Sequence, residues 1–281
     1  METPPLPSFI HAGVQKAGST WIYQALKEPP EIYMSHDEPT NYFDVEYYRG
    51  EGWYRERFGG YDGEKEVGDE SPGYIKHPFA ARRAAELIPE AKIIMCLRDP
   101  VERAYSQWWS AESYWTDGRF ERCMFHHATN DVFVTPGFYY YHISKWEEYY
   151  PKDNIKITFF EDMISDNEKF IKDLYSFLGV DDEFLPDIAN NKVQSGKSRK
   201  GPNERIKERL MRYAKKMPNL TKQAAGKIFG YKEYEKKDMS ESMKIKLQKT
   251  YYEDIRKLEN RTGRNLERWT NLVDGGGRKT I

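Results

Sequence analysis

The sequence predicts an α/β fold in which a parallel β-sheet is flanked by helices on both faces and followed by a helical C-terminal part. Three observations carry this. Short apolar runs alternate with helix-period segments through residue 180, the order of elements that buries a parallel sheet between two helical layers. The run Ala91-Lys92-Ile93-Ile94-Met95-Cys96-Leu97 is apolar at all but one position, as a strand covered on both sides requires. Beyond residue 202, Lys-rich amphipathic stretches at about 203–216 and 240–262 read as helices with no strand between them. With 281 residues, no internal repeat and no convincing linker, the chain is expected to form one domain over 1–281.

Taken in order, the first apolar run, Phe9-Ile10-His11-Ala12, leads into a turn containing Gly13 and Gly18, then hydroxyls, then a helix from 22. This strand–loop–helix layout aims backbone N–H groups and a helix N-terminus at an anion. The glycine spacing is P-loop-like, G-x-x-x-x-G, but Ser19 stands where that motif has its lysine, and the lysine, Lys16, lies inside the loop. Pro29-Pro30 stops the helix, and Glu31-Ile32-Tyr33-Met34-Ser35 reads as a strand with His36-Asp37-Glu38-Pro39 at its carboxyl end, where open α/β sheets gather ligands. Asn41-Tyr42-Phe43-Asp44 and the stretch 52–58 read as short helices, and Glu66-Val67-Gly68-Asp69-Glu70-Ser71-Pro72 as another strand end.

Pro78 opens a helix over 79–88 that Pro89 stops. After the buried strand 91–97 and Arg98, Asp99 at N-cap, Pro100 at N1 and Glu102 at N3 form a capping-box variant, and the helix runs at least to Trp109. Residues 110–136 have no clean period and read as a lid or insertion. A helix at 138–150, a strand Ile155-Lys156-Ile157-Thr158-Phe159-Phe160 and a helix at 167–178 closed by Gly179 complete the alternation. Residues 187–202 form a polar, basic loop, and the tail 274–281, with Gly275-Gly276-Gly277, is expected to be flexible.

The bulk composition narrows the function. A net charge of −1, from 44 basic and 45 acidic residues, gives no whole-protein field for nucleic acid, so an anion site must be a local cluster. Two cysteines, Cys96 and Cys123, make no disulfide framework, and Cys96 in its apolar run reads as a buried thiol of a reducing compartment. The N-terminus lacks signal-peptide character, and no stretch reaches the roughly 20 apolar residues needed to span a bilayer. The expectation is a cytoplasmic protein with no membrane span. Quaternary state is not legible.

Two anchors carry the chemistry. The loop Gln15-Lys16-Ala17-Gly18-Ser19-Thr20-Trp21 is one. The other is Arg98, leaving a buried strand, with Ser106 two turns into the capped helix behind it: a strand-end guanidinium, a helix N-terminus and a hydroxyl. On their own, these residues are equally a plain strand–helix turn and a capped helix whose arginine pairs with a carboxylate.

Together they resemble the 5′-phosphosulfate loop and the 3′-phosphate motif of sulfotransferases that use 3′-phosphoadenosine 5′-phosphosulfate (PAPS). Further stretches are similar to that family: Gly137, Tyr139, Ile143 and Trp146, followed by Phe160-Glu161-Asp162, assigned to structure with Trp146 in the core. Ser195-Gly196-Lys197-Ser198-Arg199-Lys200-Gly201 falls where members carry a basic loop that closes over the 3′-phosphate. The resemblance implies donor contacts from Gln15, Lys16, Ala17, Gly18, Ser19, Thr20, Arg98, Ser106, Ser198, Arg199 and Lys200, and adenine stacking on Trp21. The product would be 3′,5′-diphosphoadenosine. It implies in-line sulfuryl transfer in which Lys16 supports the transferring group, with no metal.

Glu38-Pro39-x-x-Tyr42-Phe43 resembles the segment in which heparan-type members carry their general base, so Glu38 is expected to take the acceptor's proton. His77, near where the cytosolic branch places its histidine, is the alternative base. The chain departs from the family at Asp37 and Glu70, where lysines are usual, and this argues against a strongly anionic glycan. The acceptor is otherwise open among small-molecule, carbohydrate, lipid and carrier-bound hydroxyls, or less readily amines. His11 and His36 read as polar lining. Trp108, Trp109, Tyr114 and Trp115 either line an acceptor pocket or pack the lid. Two rivals remain at this level. One is a P-loop kinase or NTPase, disfavoured by the misplaced Lys16 and by Asp99 being used as a cap. The other is a non-catalytic module binding adenosine bisphosphate.

Overall fold

The computed structural model describes residues 3–35, 39–115, 120, 124–126, 129–190 and 239–270, with the backbone alone for 111–115. Its centre is a five-stranded sheet in the order β2-β3-β1-β4-β5, comprising β1 (Phe9–Gly13), β2 (Ile32–Met34), β3 (Glu66–Glu70), β4 (Lys92–Leu97) and β5 (Ile155–Phe159). Every neighbouring pair is parallel. The α/β expectation therefore holds, including the sheet flanked by helices. β4 lies between β1 and β5, and its residues Ile93 to Leu97 are wholly buried, which explains its unbroken apolar run.

Close packing at the sheet centre explains one strand glycine. A Cβ on Gly68 would lie 2.3 Å from the Phe9 ring and 2.5 Å from the Met34 sulfur, so nothing larger fits between β1 and β2.

The helices are α1 (Ser19–Lys27), α2 (Gly50–Glu56), α3 (Ala80–Leu87), α4 (Pro100–Trp115), α5 (Asn130–Phe133), α6 (Tyr139–Glu147), α7 (Phe160–Ser165), α8 (Asn167–Leu178), α9 (Glu241–Thr262) and α10 (Glu267–Thr270). α8 has the bounds the sequence implied. Asp166 accepts from the Lys169 amide at its start, and Gly179, at φ 82°, closes its end.

Three expectations change. Residues 41–44 form no helix: 42–46 are a turn entered through Asn41 at φ 50°, a left-handed geometry that breaks helical continuation. α4 extends past Trp109 to Trp115, so the first part of the expected lid continues that helix, and α5 supplies a second piece. Helix 138–150 is shorter, because Phe138 and Glu148 flank α6 as its caps. The stretch 203–216, most of the loop 187–202 and the tail 274–281 lie outside the described residues; Asp187–Asn190 form a 3₁₀ turn.

The C-terminal helices lock onto the body through specific contacts. Asp254 of α9 accepts from the amides of Tyr140 (2.9 Å) and Tyr141 (3.0 Å), capping α6, which has no side-chain cap of its own. The Tyr251 hydroxyl donates to the Val134 carbonyl at 3.0 Å. Arg264 makes a two-pronged pair with Asp162 of α7, at 2.6 Å on each oxygen.

Candidate active site

The site forms where β1, β3 and β4 run out, the usual ligand position in an open parallel sheet. β1 ends at Gly13, at φ 150°. A Cβ there would meet Ile75 at 2.7 Å and the Pro72 carbonyl at 3.0 Å, so the chain can turn here only as glycine. The Val14 amide donates to the Cys96 carbonyl (2.9 Å), tying the loop to β4. Lys16 and Gly18 both take left-handed backbone, at φ 74° and 88°. Gly18 is the N-cap of α1; the Trp21 amide donates to its carbonyl at 2.9 Å, and the Ser19 and Thr20 amides come before the helix's own hydrogen bonds begin. The strand–turn–helix layout that the glycine spacing predicts is therefore present. The Ala17 amide turns back on the Val14 carbonyl at 3.3 Å and its methyl is buried, so Ala17 contributes the loop's shape.

Arg98 stands immediately after β4. Its Nη1 donates to the Lys16 carbonyl (3.1 Å), Nη2 lies 3.7 Å from Glu102, and the guanidinium sits over the Phe160 ring at 4.8 Å. The Tyr139 hydroxyl donates to the Arg98 carbonyl at 2.6 Å. The two anchors of the sequence, 82 positions apart, thus share a hydrogen bond. Ser106 lies on α4, half-buried, on the helix that Arg98 introduces. Asp99 caps that helix by accepting from Val101 (2.8 Å) and Glu102 (3.2 Å), and burial pushes its carboxyl up to about 6. The reciprocal half of the capping box is different from expectation. Glu161 of α7, not Glu102, accepts from the Asp99 amide, because Glu102 leans toward Arg98.

The Phe160-Glu161-Asp162 segment was assigned to structure, and its role is more local than that. Phe160 floors Arg98, Glu161 holds Asp99, Asp162 takes Arg264, and Met163 presses on Gly18, where a Cβ would lie 2.3 Å from the Met163 methyl. No motif at the loop or at Arg98 announces these supports. Only the placement of α7 directly after β5, beside β4, brings them there.

On the other side of the loop, β3 ends in two carboxylates. Asp69 is fully buried and accepts from Thr40 (2.9 Å), Tyr54 (2.9 Å), Tyr74 (3.0 Å) and Ser71 (3.0 Å), so it is used up as a structural hub. Glu70 hydrogen-bonds Ser19, and its Oε1 lies 3.8 Å from His11 Nδ1 on the paired residue of β1. Burial drives the Glu70 carboxyl up to about 8 and the wholly buried His11 ring down to about 4. Among the described residues, neither ring nitrogen of His11 has a hydrogen-bond partner.

Glu38 lies outside the described residues, as do Ser198, Arg199, Lys200 and His36. The residues flanking 36–38 are fixed on β3: Ser35 donates its amide to the Gly68 carbonyl (2.9 Å), and Thr40 bonds Asp69. His77 is half-buried. Its Nδ1 accepts from the Phe79 amide at 3.3 Å, and desolvation lowers its pKa below the usual histidine value. The Asp44 carboxyl interacts electrostatically with His77 and Lys76. It also lies 3.1 Å from the point where Gly73 would carry a Cβ, with Gln15 Nε2 at 3.7 Å from the same point. Gln15 and Asp44 thus meet at Gly73, and Asp44 links this corner electrostatically to His77. Trp21, half-buried on α1, meets Phe170 edge-on at 6.2 Å, and its indole N–H is buried without a partner. Trp146 is core, as expected. Burial pushes the Cys96 thiol up to about 12, which leaves it unreactive.

Among the described residues, no cluster of three or more His, Cys, Asp or Glu is arranged for a metal ion. No described helix is long and apolar enough to cross a membrane.

A family model described as "Sulfotransferase domain" matches residues 6–259. The human bifunctional heparan sulfate N-deacetylase/N-sulfotransferase 3 is 29% identical over 196 residues, covering 62% of this chain and 22% of that protein. The membrane-associated sulfotransferase kil1 of Dictyostelium discoideum is 37% identical over 106 residues, 37% of this chain and 22% of its own. The chain thus spans about a fifth of the length of these relatives. A crystal structure of a sulfotransferase from Alicyclobacillus acidocaldarius superposes with a TM-score of 0.73 at 21% identity, covering 94% of this chain and 99% of that one, and so shares the fold.

Proposed function

The chain belongs to the sulfotransferase domain family, and from that premise we propose that it moves the sulfuryl group of PAPS to an acceptor hydroxyl or amine, with a carbohydrate as the first acceptor class to try. The carbohydrate choice follows the heparan sulfate relatives. The observation that carries the donor reading is the Arg98–Lys16 bond, which joins a guanidinium to the loop carbonyl two residues before the N-cap of α1. A glycine-walled cradle, a strand-end arginine and an unpartnered indole N–H suit a nucleotide with two anionic groups and a base.

In this reading Ser19, Thr20 and the α1 amides hold the 5′-phosphate, Arg98 and Ser106 take the 3′-phosphate with Ser198, Arg199 and Lys200, and Trp21 stacks on adenine. The acceptor oxygen or nitrogen attacks sulfur as the bond from sulfur to the 5′-phosphate oxygen breaks, and 3′,5′-diphosphoadenosine leaves with that electron pair. Lys16 offsets charge on the leaving oxygen and the transferring group. Glu38 takes the acceptor's proton. The anchoring of Ser35 and Thr40 on β3 supports Glu38, since both neighbours are held beside the strand end where the reaction would run. Family membership and the full use of Asp99 as a cap weigh against kinase chemistry.

The test is transfer from ³⁵S-labelled PAPS to a panel of sugars, desulfated glycosaminoglycan fragments, alcohols and amines, with metal chelator present. Label appearing in an acceptor without added metal supports the reading. Absence of both transfer and 3′,5′-diphosphoadenosine binding ends it.

A further inference from the structure

Within the donor site just proposed, and resting on that reading, we infer that Glu70 binds the donor as a neutral carboxyl, giving its proton as a hydrogen bond to a 5′-phosphate oxygen. The geometry creates the question. A carboxylate at the end of β3 faces an anion cradle, bonded to Ser19 in the first turn of α1, so its group and the donor's phosphate would compete for the same hydroxyl and amides. An ionised Glu70 would stand against that phosphate with no water to screen it, its side chain being only 13% exposed.

Burial is the first cause of the neutral form, and the neighbouring charge of Asp69 adds to it. His11, on the paired residue of β1, is wholly buried and offers no positive charge. Asp69, one residue back, is saturated by four hydroxyls, and its proximity opposes a second negative charge. The Ser19 contact favours the ionised form, and burial outweighs it. A protonated Glu70 therefore accepts from Ser19 on one oxygen and donates from the other, and becomes part of the cradle it would otherwise oppose. Its ordinary value, raised by burial to about 8, makes the neutral form the main one at neutral pH.

The test uses 3′,5′-diphosphoadenosine and isothermal titration calorimetry. For the unaltered protein, affinity is expected to fall about tenfold between pH 7 and pH 9 as the binding-competent fraction shrinks. Binding at pH 8.5, compared in buffers of different ionisation enthalpy, should take up a proton, because the nucleotide selects the protonated form. Glu70→Gln, neutral at every pH, should bind with almost no pH dependence and more tightly than the unaltered protein at pH 9. Binding with no proton uptake, or a Glu70→Gln curve parallel to the parent, overturns this inference and leaves the donor site standing. No binding at any pH overturns both. The proton-uptake measurement needs no variant, so it decides the matter even if Glu70→Gln fails to fold.

Discussion

The Arg98 guanidinium donates to the carbonyl of Lys16 at 3.1 Å, so the residue expected to hold one phosphate also sets the backbone of the residue expected to support the other. Lys16 sits at φ 74°, a conformation a lysine adopts only when its surroundings impose it, and this bond is one of the constraints.

Replacing Arg98 with alanine should weaken binding of 3′,5′-diphosphoadenosine by about 1.5–3 kcal/mol, the range for a hydrogen bond to a charged group. Calorimetric titration of the variant against the parent reads this directly. A change below about 0.5 kcal/mol would place the 3′-phosphate elsewhere.

Lys16→Ala should abolish transfer while keeping most nucleotide affinity, since the α1 amides and Arg98 remain. Single-turnover rates beside equilibrium binding separate the two effects. Equal losses in both would make Lys16 a binding residue alone.

Glu38→Gln should remove turnover with donor affinity intact. If turnover survives, the base moves to His77, whose lowered pKa suits a neutral imidazole and whose replacement by alanine should then be the fatal change. The pair of variants, assayed together, assigns the role.

Gly18→Ala combines left-handed backbone with a Cβ 2.3 Å from the Met163 methyl, and should cost about 1–3 kcal/mol of stability. Adding Met163→Ala should recover only the steric part. Urea denaturation of the single and double variants measures both.

Glu70→Gln should stabilise the protein at alkaline pH. Burial raises the folded carboxyl from 4.5 to about 8, so between those values the folded state holds a proton the unfolded state has released, and stability falls as pH rises through that window. The glutamine variant loses that slope, which is on the order of 1.4 kcal/mol per pH unit at its steepest. The two proteins should unfold alike near pH 4.5 and differ most above pH 8, in chemical denaturation without nucleotide.

Much of this architecture was readable because it rests on local rules. Gly13 and Gly18 frame a loop that only glycine can shape, Asp99 caps because Asp-Pro starts helices, and the apolar run of β4 demands two covering layers. The misreadings fall where distant segments decide. Residues 41–44 have helical composition, yet Thr40 and Ser71 bind the chain to the Asp69 hub, and Asn41 takes a left-handed turn to follow. Glu161 displaces Glu102 from the capping box because α7 lands beside Asp99, which no local pattern in either segment announces. The Glu70–Ser19 contact depends on β3 pairing with β1, a matter of strand order, and strand order is not written in the periodicity of either strand.

The salt bridge from Arg264 to Asp162 and the cap from Asp254 onto α6 give this protein a late finish. The anion loop is made well before Arg264, which secures the helix that presses Met163 against Gly18. During synthesis the nucleotide cradle would therefore stay loosely held until the C-terminal helix pair leaves the ribosome, and truncation before Asp254 should yield a chain whose sheet is complete and whose grip on adenosine bisphosphate is poor.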